Sequence, residues 1–407
     1  FIPSYARSNN KSLFSANIFL VFLSIILIIT LLVNIMPSLA TRVIAVGFDD
    51  NTIELASPFV AINFWYLPLI FAVTFLSTML QYKHHFATTA FSTALLNISL
   101  IAALYLSGDK AQIEIVYYLS FGVVIGGILQ LILHVIAIHK MGLLKPLCGG
   151  FKHLRERSLR IKEETKKFKK EFFPAIWGNS TPQVSAFLDT FLASFLASGS
   201  ISYLYYANRI FQLPLALFAI ATSIALFPSI ARYIKNKDIE KARLFMQRAF
   251  WFLTFLLTAS TIGGYILSHE IIWLLFERGS FNAKDTMESS AVLRMYMLGL
   301  VPLGLQKLFL LWLYANHRQL HAAKIATFSL VFYMISAFSL ITPMGASGLA
   351  LAGTISGLVG FILSVKAFGV KEFFNMLVSR KTIYLAIGSA LLIILLTIFK
   401  DFIDTFI

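Results

Sequence analysis

The sequence predicts an all-α polytopic membrane protein from its composition, its long apolar segments and the charges of the segments between them. Hydrophobic residues make up 58% of the 407 residues and charged residues only 13%, about half the ~25% usual in soluble domains. A soluble core of this length cannot bury so much apolar surface, so the excess is expected to face lipid. The single cysteine, Cys148, excludes an intramolecular disulfide and a CxxC metal or redox site.

Eleven segments are long and apolar enough to cross a bilayer as helices, since a span takes about 20 residues at ~1.5 Å each. In chain order they are 13–36, 58–80, 86–106, 115–138, 173–197, 206–231, 246–267, 289–315, 322–342, 346–368 and 382–399. Proline interrupts four of them, which predicts kinks or broken helices at Pro68, Pro182, Pro214 and Pro302.

The charges of the connecting segments predict which side of the membrane each one faces. Every second segment is rich in Lys and Arg, and the segments between are neutral or acidic. The positive ones are 3–12, 81–85, 139–172, 232–245, 316–321 with Lys324, and 366–381. The positive-inside rule places these in the cytoplasm, with the C-terminal tail outside, as eleven spans require. The net charge of +15 therefore reflects topology, and no nucleic-acid partner is expected.

A weak parallel repeat predicts two pseudo-symmetric lobes. The sequence FIPSYAR at 1–7 matches LFPSIAR at 226–232, and the glycine pair Gly122/Gly126 matches Gly353/Gly357. The predicted organisation is an N-lobe at 1–138, a basic amphipathic cytoplasmic linker at 139–172, a C-lobe at 173–368 and an additional C-terminal helix region at 369–407. Because 226–232 closes the second helix of its lobe, the repeat also predicts that the first two helices of the N-lobe are missing.

No catalytic motif is present: the chain has no GxSxG, P-loop or dinucleotide fingerprint. The sequence therefore predicts a transporter and no metal or cofactor. A membrane-embedded glycosyltransferase stays open as an alternative, with Asp49, Asp50 or Glu277 in the outer segments as its candidate catalytic acids.

Four ionisable residues lie within predicted spans, where a charge costs at least ~2.5 kcal/mol and usually faces a cavity or a partner. They are Asp189, Arg209, Arg294 and Lys307. Lys307 is too deep to reach the interface easily, so it is expected to face a cavity. Arg209 either anchors the helix at the interface beside several tyrosines or points into the cavity, and Arg294 is similarly ambiguous. Asp189 is expected to pair with a cation or to bind a coupling ion.

The surplus of cations over acids suits an anionic substrate and disfavours a drug antiporter, whose cavity should be acidic. The segment 151–171 reads as an amphipathic helix on the cytoplasmic surface, with Phe151, Leu154, Leu159, Ile161 and Phe168 partly buried. It is expected to bind anionic membrane lipids. Its other interpretation is a surface that gathers an anionic lipid substrate or a cell-wall synthesis enzyme.

Several motifs, in order along the chain, resemble a known family. They are TALLNI at 93–98, ASFLASGS at 193–200, YYANR at 205–209, the FPS at 227–229, and LLFERGSF at 274–281 with the following Asp285-Thr286. Together with FIPSYAR they resemble the MurJ (MviN) lipid II flippases of the multidrug/oligosaccharidyl-lipid/polysaccharide exporter superfamily. Another exporter of that superfamily, moving lipid-linked polysaccharide, remains the closest alternative.

The resemblance implies two six-helix lobes enclosing a cationic cavity, with further helices forming a groove for the lipid tail; the last of these helices is then also missing. It implies flipping of undecaprenyl-pyrophosphate-linked muropeptide to the outer leaflet of the bacterial cytoplasmic membrane by alternating access. Arg209 and Lys307 match cations of the family, and Ser202 matches a cavity position. Asn208 replaces the usual acid, and Arg294 lies one turn after the position where many members carry arginine.

Overall fold

The computed structural model of the protein describes residues 1, 4–5, 8, 10–153, 163–170, 172 and 180–403, which form helices and connecting turns without a strand. The chain divides into two compact units, unit 1 at Phe1–Asn179 and unit 2 at Ser180–Ile407. The predicted all-α class is confirmed. The finer division into lobes, linker and C-terminal region stays a prediction.

Among its described residues, unit 1 contains seven helices with assigned ends and a further helical stretch at 163–170. They are α1 Lys11–Ile35, α2 Pro37–Ile44, α3 Asp50–Phe64, α4 Tyr66–Tyr82, α5 Ala87–Ser107, α6 Gln112–Lys140 and α7 Leu144–Lys152. Of the predicted apolar contacts of the basic segment, two can be placed. The Phe168 ring lies 5.9 Å from Phe14 and the Phe151 ring 5.9 Å from Phe19, both on α1. Leu154, Leu159 and Ile161 lie outside the described residues.

Buried polar groups in unit 1 bond to one another. His134 on α6 is fully buried; its Nε2 lies 2.8 Å from the Ser77 hydroxyl on α4 and its Nδ1 2.8 Å from the Gln130 carbonyl oxygen. The Gln130 side chain accepts from the Tyr66 hydroxyl at 3.0 Å and donates to the Ser92 carbonyl at 2.9 Å. These bonds join α4, α5 and α6. They also pair polar groups that would be costly to leave unpaired in hydrocarbon.

Unit 2 contains ten α-helices and one π-helical segment among its described residues. They are α8 Thr181–Ala193, α9 Ser200–Pro214, the π segment Leu215–Ile220, α10 Ala221–Lys235, α11 Ile239–Ile266, α12 Ser268–Phe276, α13 Ala283–Leu298, α14 Leu300–Ala315, α15 Gln319–Phe368, α16 Val370–Leu377 and α17 Arg380–Ile403. Asp238 caps the start of α11. Its carboxylate accepts a hydrogen bond from the Lys241 backbone N–H at 3.3 Å and forms an ion pair with the Lys241 side chain at 2.8 Å. The Lys241 hydrogen bond lowers the pKa of Asp238.

Eight helical segments of the described chain are long and apolar enough to cross a membrane, or nine if the bent pair α13 and α14 is one span. One of the eight, α15, folds back on itself. Its backbone breaks at Gly345, at φ 56° and ψ −132°, and the Ser356 hydroxyl donates to the Ser329 carbonyl at 2.7 Å. In a straight helix these residues would be about 40 Å apart. The predicted count of eleven is not confirmed, because the span 173–197 is only partly described.

Two of the predicted proline breaks occur one turn before the proline. α3 ends at Phe64, four residues before Pro68, and α13 ends at Leu298, four residues before Pro302; α13 and α14 meet at a bend of 40°. A proline ring clashes with the carbonyl four residues earlier, so the preceding helix stops there and a new one begins. Pro214 is instead followed directly by the π segment. The break expected at Pro182 is not found, since this residue is at the start of α8.

Polar contacts within unit 2 join segments that the loop charges place on the same side of the membrane. Arg243 donates to Glu372 at 3.0 Å and Arg318 donates to the Ala367 carbonyl at 3.1 Å, all on the predicted cytoplasmic side. Lys400 pairs with the buried Glu270 on the predicted outer side. The long-range contacts therefore agree with the topology that the positive-inside rule gives.

Candidate functional site

One face of α9 carries a row of exposed polar side chains. The α9 polar stripe consists of Ser202, Tyr205, Arg209 and Gln212. Its spacing of three or four residues places the four side chains on one side of the helix. The opposite side packs into the core of unit 2 through Leu204, Ala207 and Phe211. Because the core holds α9 from behind, the stripe is presented on a rigid element.

Arg209 is held in place by the tyrosine one turn before it. Its guanidinium carbon lies 4.7 Å from the centre of the Tyr205 ring, and one of its terminal nitrogens donates to the Tyr205 hydroxyl at 2.9 Å. A guanidinium has five N–H donors, so most of them stay available to a ligand. The structure thus makes Arg209 an exposed, oriented cation.

The two neutral residues predicted for the site lie on or beside this stripe. Ser202 is exposed at the start of α9. Asn208 is half-buried, and its side-chain oxygen accepts a hydrogen bond from Gln212 at 3.2 Å. An asparagine brings no negative charge beside Arg209, whereas an aspartate here would compete with an anionic ligand for the guanidinium.

Lys307 lines a groove of about 690 Å³ between α10 and α14. Each helix contributes four residues at the spacing i, i+3, i+4 and i+7, and the start of α15 closes one end. The lining residues are Ile220, Ser223, Ile224 and Phe227 from α10 and the preceding π segment, Lys307, Leu310, Leu311 and Tyr314 from α14, and Gln319. Lys307 is exposed in this groove and forms no ion pair with any described residue.

The groove lies deeper along the helix than Arg209. Eleven residues separate Arg209 from Ile220, which is about 16 Å along a helix axis. The π segment between them follows Pro214, and such segments often occur at functional sites. Arg209 is not among the residues that line the groove, so Arg209 and Lys307, two of the three predicted substrate-binding cations, lie at different positions along the helices.

Asp189 forms no ion pair with the described residues; its carboxylate accepts a hydrogen bond from the Tyr333 hydroxyl on α15. The expected cationic partner is therefore not found among them. In unit 2, the Tyr296 ring on α13 also stacks on the Phe211 ring of α9 at 5.4 Å.

No cluster of three His, Cys, Asp or Glu side chains that could hold a metal ion occurs in the described parts of the chain.

Arg294 forms a hydrogen bond to a buried side chain of unit 2. Its Nε donates to the hydroxyl of the fully buried Ser268 at 2.7 Å, which ties α13 to the first residue of α12. Arg294 is itself half-buried. The substrate contact of Arg294 stays a prediction, since this hydrogen bond uses only the Nε of its guanidinium.

Sequence reasoning missed the polar residues that surround the two cations. The role of Tyr205 could have been found from its i, i+4 spacing to Arg209. Ser223, Tyr314 and Gln319 come together with Lys307 only through the packing of three helices. The hydroxyl oxygen of Ser223 is buried and has no hydrogen-bond partner among the described residues. Tyr333 is 144 residues away from Asp189, and no local pattern links the two.

Comparison with known proteins identifies the family. The family model described as lipid II flippase MurJ matches residues 1–406. A Helicobacter pylori protein named "Probable lipid II flippase MurJ" is 47% identical over 412 residues, covering 99% of this chain and 89% of that protein. The chain belongs to the MurJ family of lipid II flippases. A relative of the same name from Rhizobium tropici is 29% identical over 370 residues, covering 88% of this chain and 67% of that protein.

Solved structures show the same fold. A lipid II flippase MurJ in an inward closed conformation superposes with a TM-score of 0.78 at 23% identity, covering 99% of this chain and 86% of that one. An inward-facing multidrug resistance transporter of the MATE family gives a TM-score of 0.69 at 13% identity, covering 89% and 82%. The flippase thus has the all-helical MurJ fold, while the helix count and the division into two lobes stay predictions.

Family membership confirms the predicted function. The protein is a lipid II flippase of the bacterial inner membrane, and it serves peptidoglycan biosynthesis. It is a transporter and not an enzyme, so the glycosyltransferase alternative is not favoured. The alternative of a lipid-linked polysaccharide exporter is not favoured either.

Proposed function

We propose that the flippase moves the lipid II headgroup by alternating access and that Lys307 and Arg209 bind its pyrophosphate at successive depths. The observation that carries this proposal is the setting of Lys307. It is the only charged residue of α14, lies in the middle of that helix, is exposed to a groove and has no anionic partner in the described chain. An ionisable residue in such a place is expected to serve a ligand.

The chemistry of the groove fits the part of lipid II where pyrophosphate joins the polyprenyl chain. Two unit charges 4 Å apart attract each other by about 4 kcal/mol at an effective dielectric constant of ~20, and the cost of removing both charges from water offsets part of this attraction. The apolar lining residues Ile224, Phe227 and Leu310 suit the first isoprene units. Tyr314 adds a hydroxyl group to the lining of the groove.

Arg209 is proposed as the contact nearer the outer side. A guanidinium can bind two phosphate oxygens at once, and Tyr205 already holds it in one orientation. Ser202 and Asn208 supply neutral hydrogen-bonding groups, which suit the sugars of the headgroup. The outward path is also favoured electrically, because an inside-negative potential drives an anion outward by ~2.3 kcal/mol per charge per 100 mV.

Arg294 and Asp189 are proposed to act without contacting the pyrophosphate. Arg294 positions α13 against α12 through Ser268 and so acts on the site indirectly. Asp189 is proposed as a ligand of a coupling ion, with a salt bridge as its alternative. A carboxylate that is bonded to a tyrosine hydroxyl rather than to a cation keeps its negative charge available to such an ion.

Contact with enzymes of cell-wall synthesis is also proposed, through the basic segment 151–171. Its described residues are rich in exposed lysines, among them Lys166, Lys167, Lys169 and Lys170. A crosslinking experiment with a photoreactive residue at Lys167 would test this proposal. Recovery of phospholipid adducts alone would contradict it.

The main experiment depletes the native flippase of a host cell and measures how much lipid II becomes accessible at the outer leaflet. Lys307→Met keeps the length of the side chain and removes its charge, so it should lower the flipping rate at least tenfold. Lys307→Arg restores the charge and should recover much of the activity. The matched control is Lys324→Met, which removes an exposed lysine outside the groove and should leave flipping unchanged.

Arg209→Ala should also abolish flipping while the protein remains in the membrane at normal abundance. Full activity of both Lys307→Met and Arg209→Ala would refute the role of the two cations. The assignment to the family would survive that result, because it does not depend on these residues.

A further inference from the structure

Helix α16 is too short to cross a membrane. Its eight residues, Val370–Leu377, span only about 12 Å, and they connect α15 to α17 on the side that the loop charges place in the cytoplasm. Gly369, with φ 134°, turns the chain sharply at its start. The helix is therefore a separate element between two long helices.

One face of α16 is fixed to unit 2. The Phe373 ring lies 5.8 Å from Phe250 on α11, 5.8 Å from Phe309 on α14 and 5.9 Å from Phe361 on α15. Met376, on the same face, is buried. This packing holds the orientation of α16, so its other face is presented in a defined direction.

That other face is apolar and exposed. Val370 and Phe374 are exposed by 47% and 57%, and Val378, directly after the helix, by 84%. Their spacing of four residues aligns them along one side of the helix. A row of exposed apolar residues on an amphipathic helix is typical of contact with the interfacial layer of a membrane.

Four cations surround this apolar row. Lys366, Lys371, Arg380 and Lys381 are all exposed, and within the described chain none forms an ion pair. The one acid of the helix, Glu372, is already paired with Arg243 at 3.0 Å. The segment that contains the apolar row therefore keeps an unbalanced positive charge.

We propose that α16 and its flanking cations form a binding site for an anionic phospholipid of the inner leaflet. The helix lies in the headgroup layer, with Phe374 among the acyl chains and the cations on the lipid phosphates. Each cation near an anionic surface strengthens binding by about fivefold. An acidic protein would satisfy the cations but would leave the apolar row without a partner, whereas a phospholipid satisfies both.

The orientation of the helix is tested with spin labels on the full chain in phosphatidylglycerol/phosphatidylcholine nanodiscs. The single exposed cysteine, Cys148, is first replaced by serine. A label at Phe374→Cys should collide mainly with oxygen, which concentrates in lipid. A label at the adjacent exposed position, Asn375→Cys, should collide more with a water-soluble nickel complex. Equal nickel accessibility at both positions would overturn the proposal.

Charge recognition is tested by native mass spectrometry of the lipids that stay bound after extraction from the same nanodiscs. The Lys371→Gln/Arg380→Gln variant should retain phosphatidylglycerol at least tenfold less than the parent. The matched control, Lys83→Gln/Lys324→Gln, removes two exposed lysines from other predicted cytoplasmic positions and should retain it normally. An equal loss in both variants, or no loss in either, would overturn the proposal.

Discussion

The hairpin of α15 provides a test of packing in which a single methyl group decides the outcome. Gly348 lies just after the break at Gly345. A Cβ atom built on Gly348 would lie 2.2 Å from the backbone carbonyl oxygen of Leu340 in the other arm of the hairpin. A carbon and a carbonyl oxygen normally stay at least ~3.3 Å apart, so Gly348→Ala must open the hairpin by about 1 Å.

The expected cost can be bounded. Overpacking of this kind costs about 1–3 kcal/mol, while replacing glycine by alanine in a helix gains at most ~1 kcal/mol. Gly348→Ala should therefore destabilise the protein by up to about 3 kcal/mol. Gly353, in the same arm, is the matched control, because a Cβ there would meet only the Tyr296 ring at 3.9 Å. Gly353→Ala should be neutral or slightly stabilising.

The assay heats each purified variant in detergent and measures the monodisperse fraction by size-exclusion chromatography. Equal heating times are needed, because membrane proteins often unfold irreversibly. The apparent Tm of Gly348→Ala should lie several degrees below that of Gly353→Ala. If the two variants had the same Tm, the close approach of the two arms of α15 would be refuted.

Three further predictions follow from other contacts. Tyr205→Phe keeps the ring that faces Arg209 but loses the hydroxyl and its hydrogen bond, which contributes about 1 kcal/mol. Lipid II flipping should therefore fall about fivefold, which is less than in Arg209→Ala. Equal losses of flipping in the two variants would show that the ring contact contributes nothing. Lys400→Met leaves the charge of buried Glu270 unpaired and should lower the Tm clearly, since removing one partner of a buried pair costs roughly 3–5 kcal/mol. The double variant Lys400→Met/Glu270→Gln should regain part of the lost Tm. No recovery in the double variant would argue against the ion pair. Asp238 has a lowered pKa, so its carboxylate stabilises the folded state above the ordinary aspartate pKa of ~3.9 and loses this contribution as the pH falls through the lowered value. Asp238→Asn keeps the helix cap and should remove this part of the acid dependence of Tm. An unchanged pH profile of Tm would contradict the assignment.

The sequence by itself determined the membrane class and several of the helix breaks, and it predicts the sidedness of the segments. Each of these depends on local properties. A run of apolar residues can be stable in lipid only as a helix, and a proline stops a helix through the carbonyl four residues before it, as at Phe64 and Leu298. The cost of a charge in hydrocarbon likewise marks Asp189, Arg209, Arg294 and Lys307 as candidate functional residues from the sequence alone.

Only the tertiary structure decided what these charges face. It placed Lys307 in a groove between α10 and α14, gave Asp189 a tyrosine instead of a cation, and tied Arg294 to Ser268. The physical reason is the solvent. In water, the apolar side of a helix marks the side that packs, but lipid tails are as apolar as leucine. A membrane helix can therefore be apolar all round, and its sequence does not tell which side meets protein, lipid or a cavity.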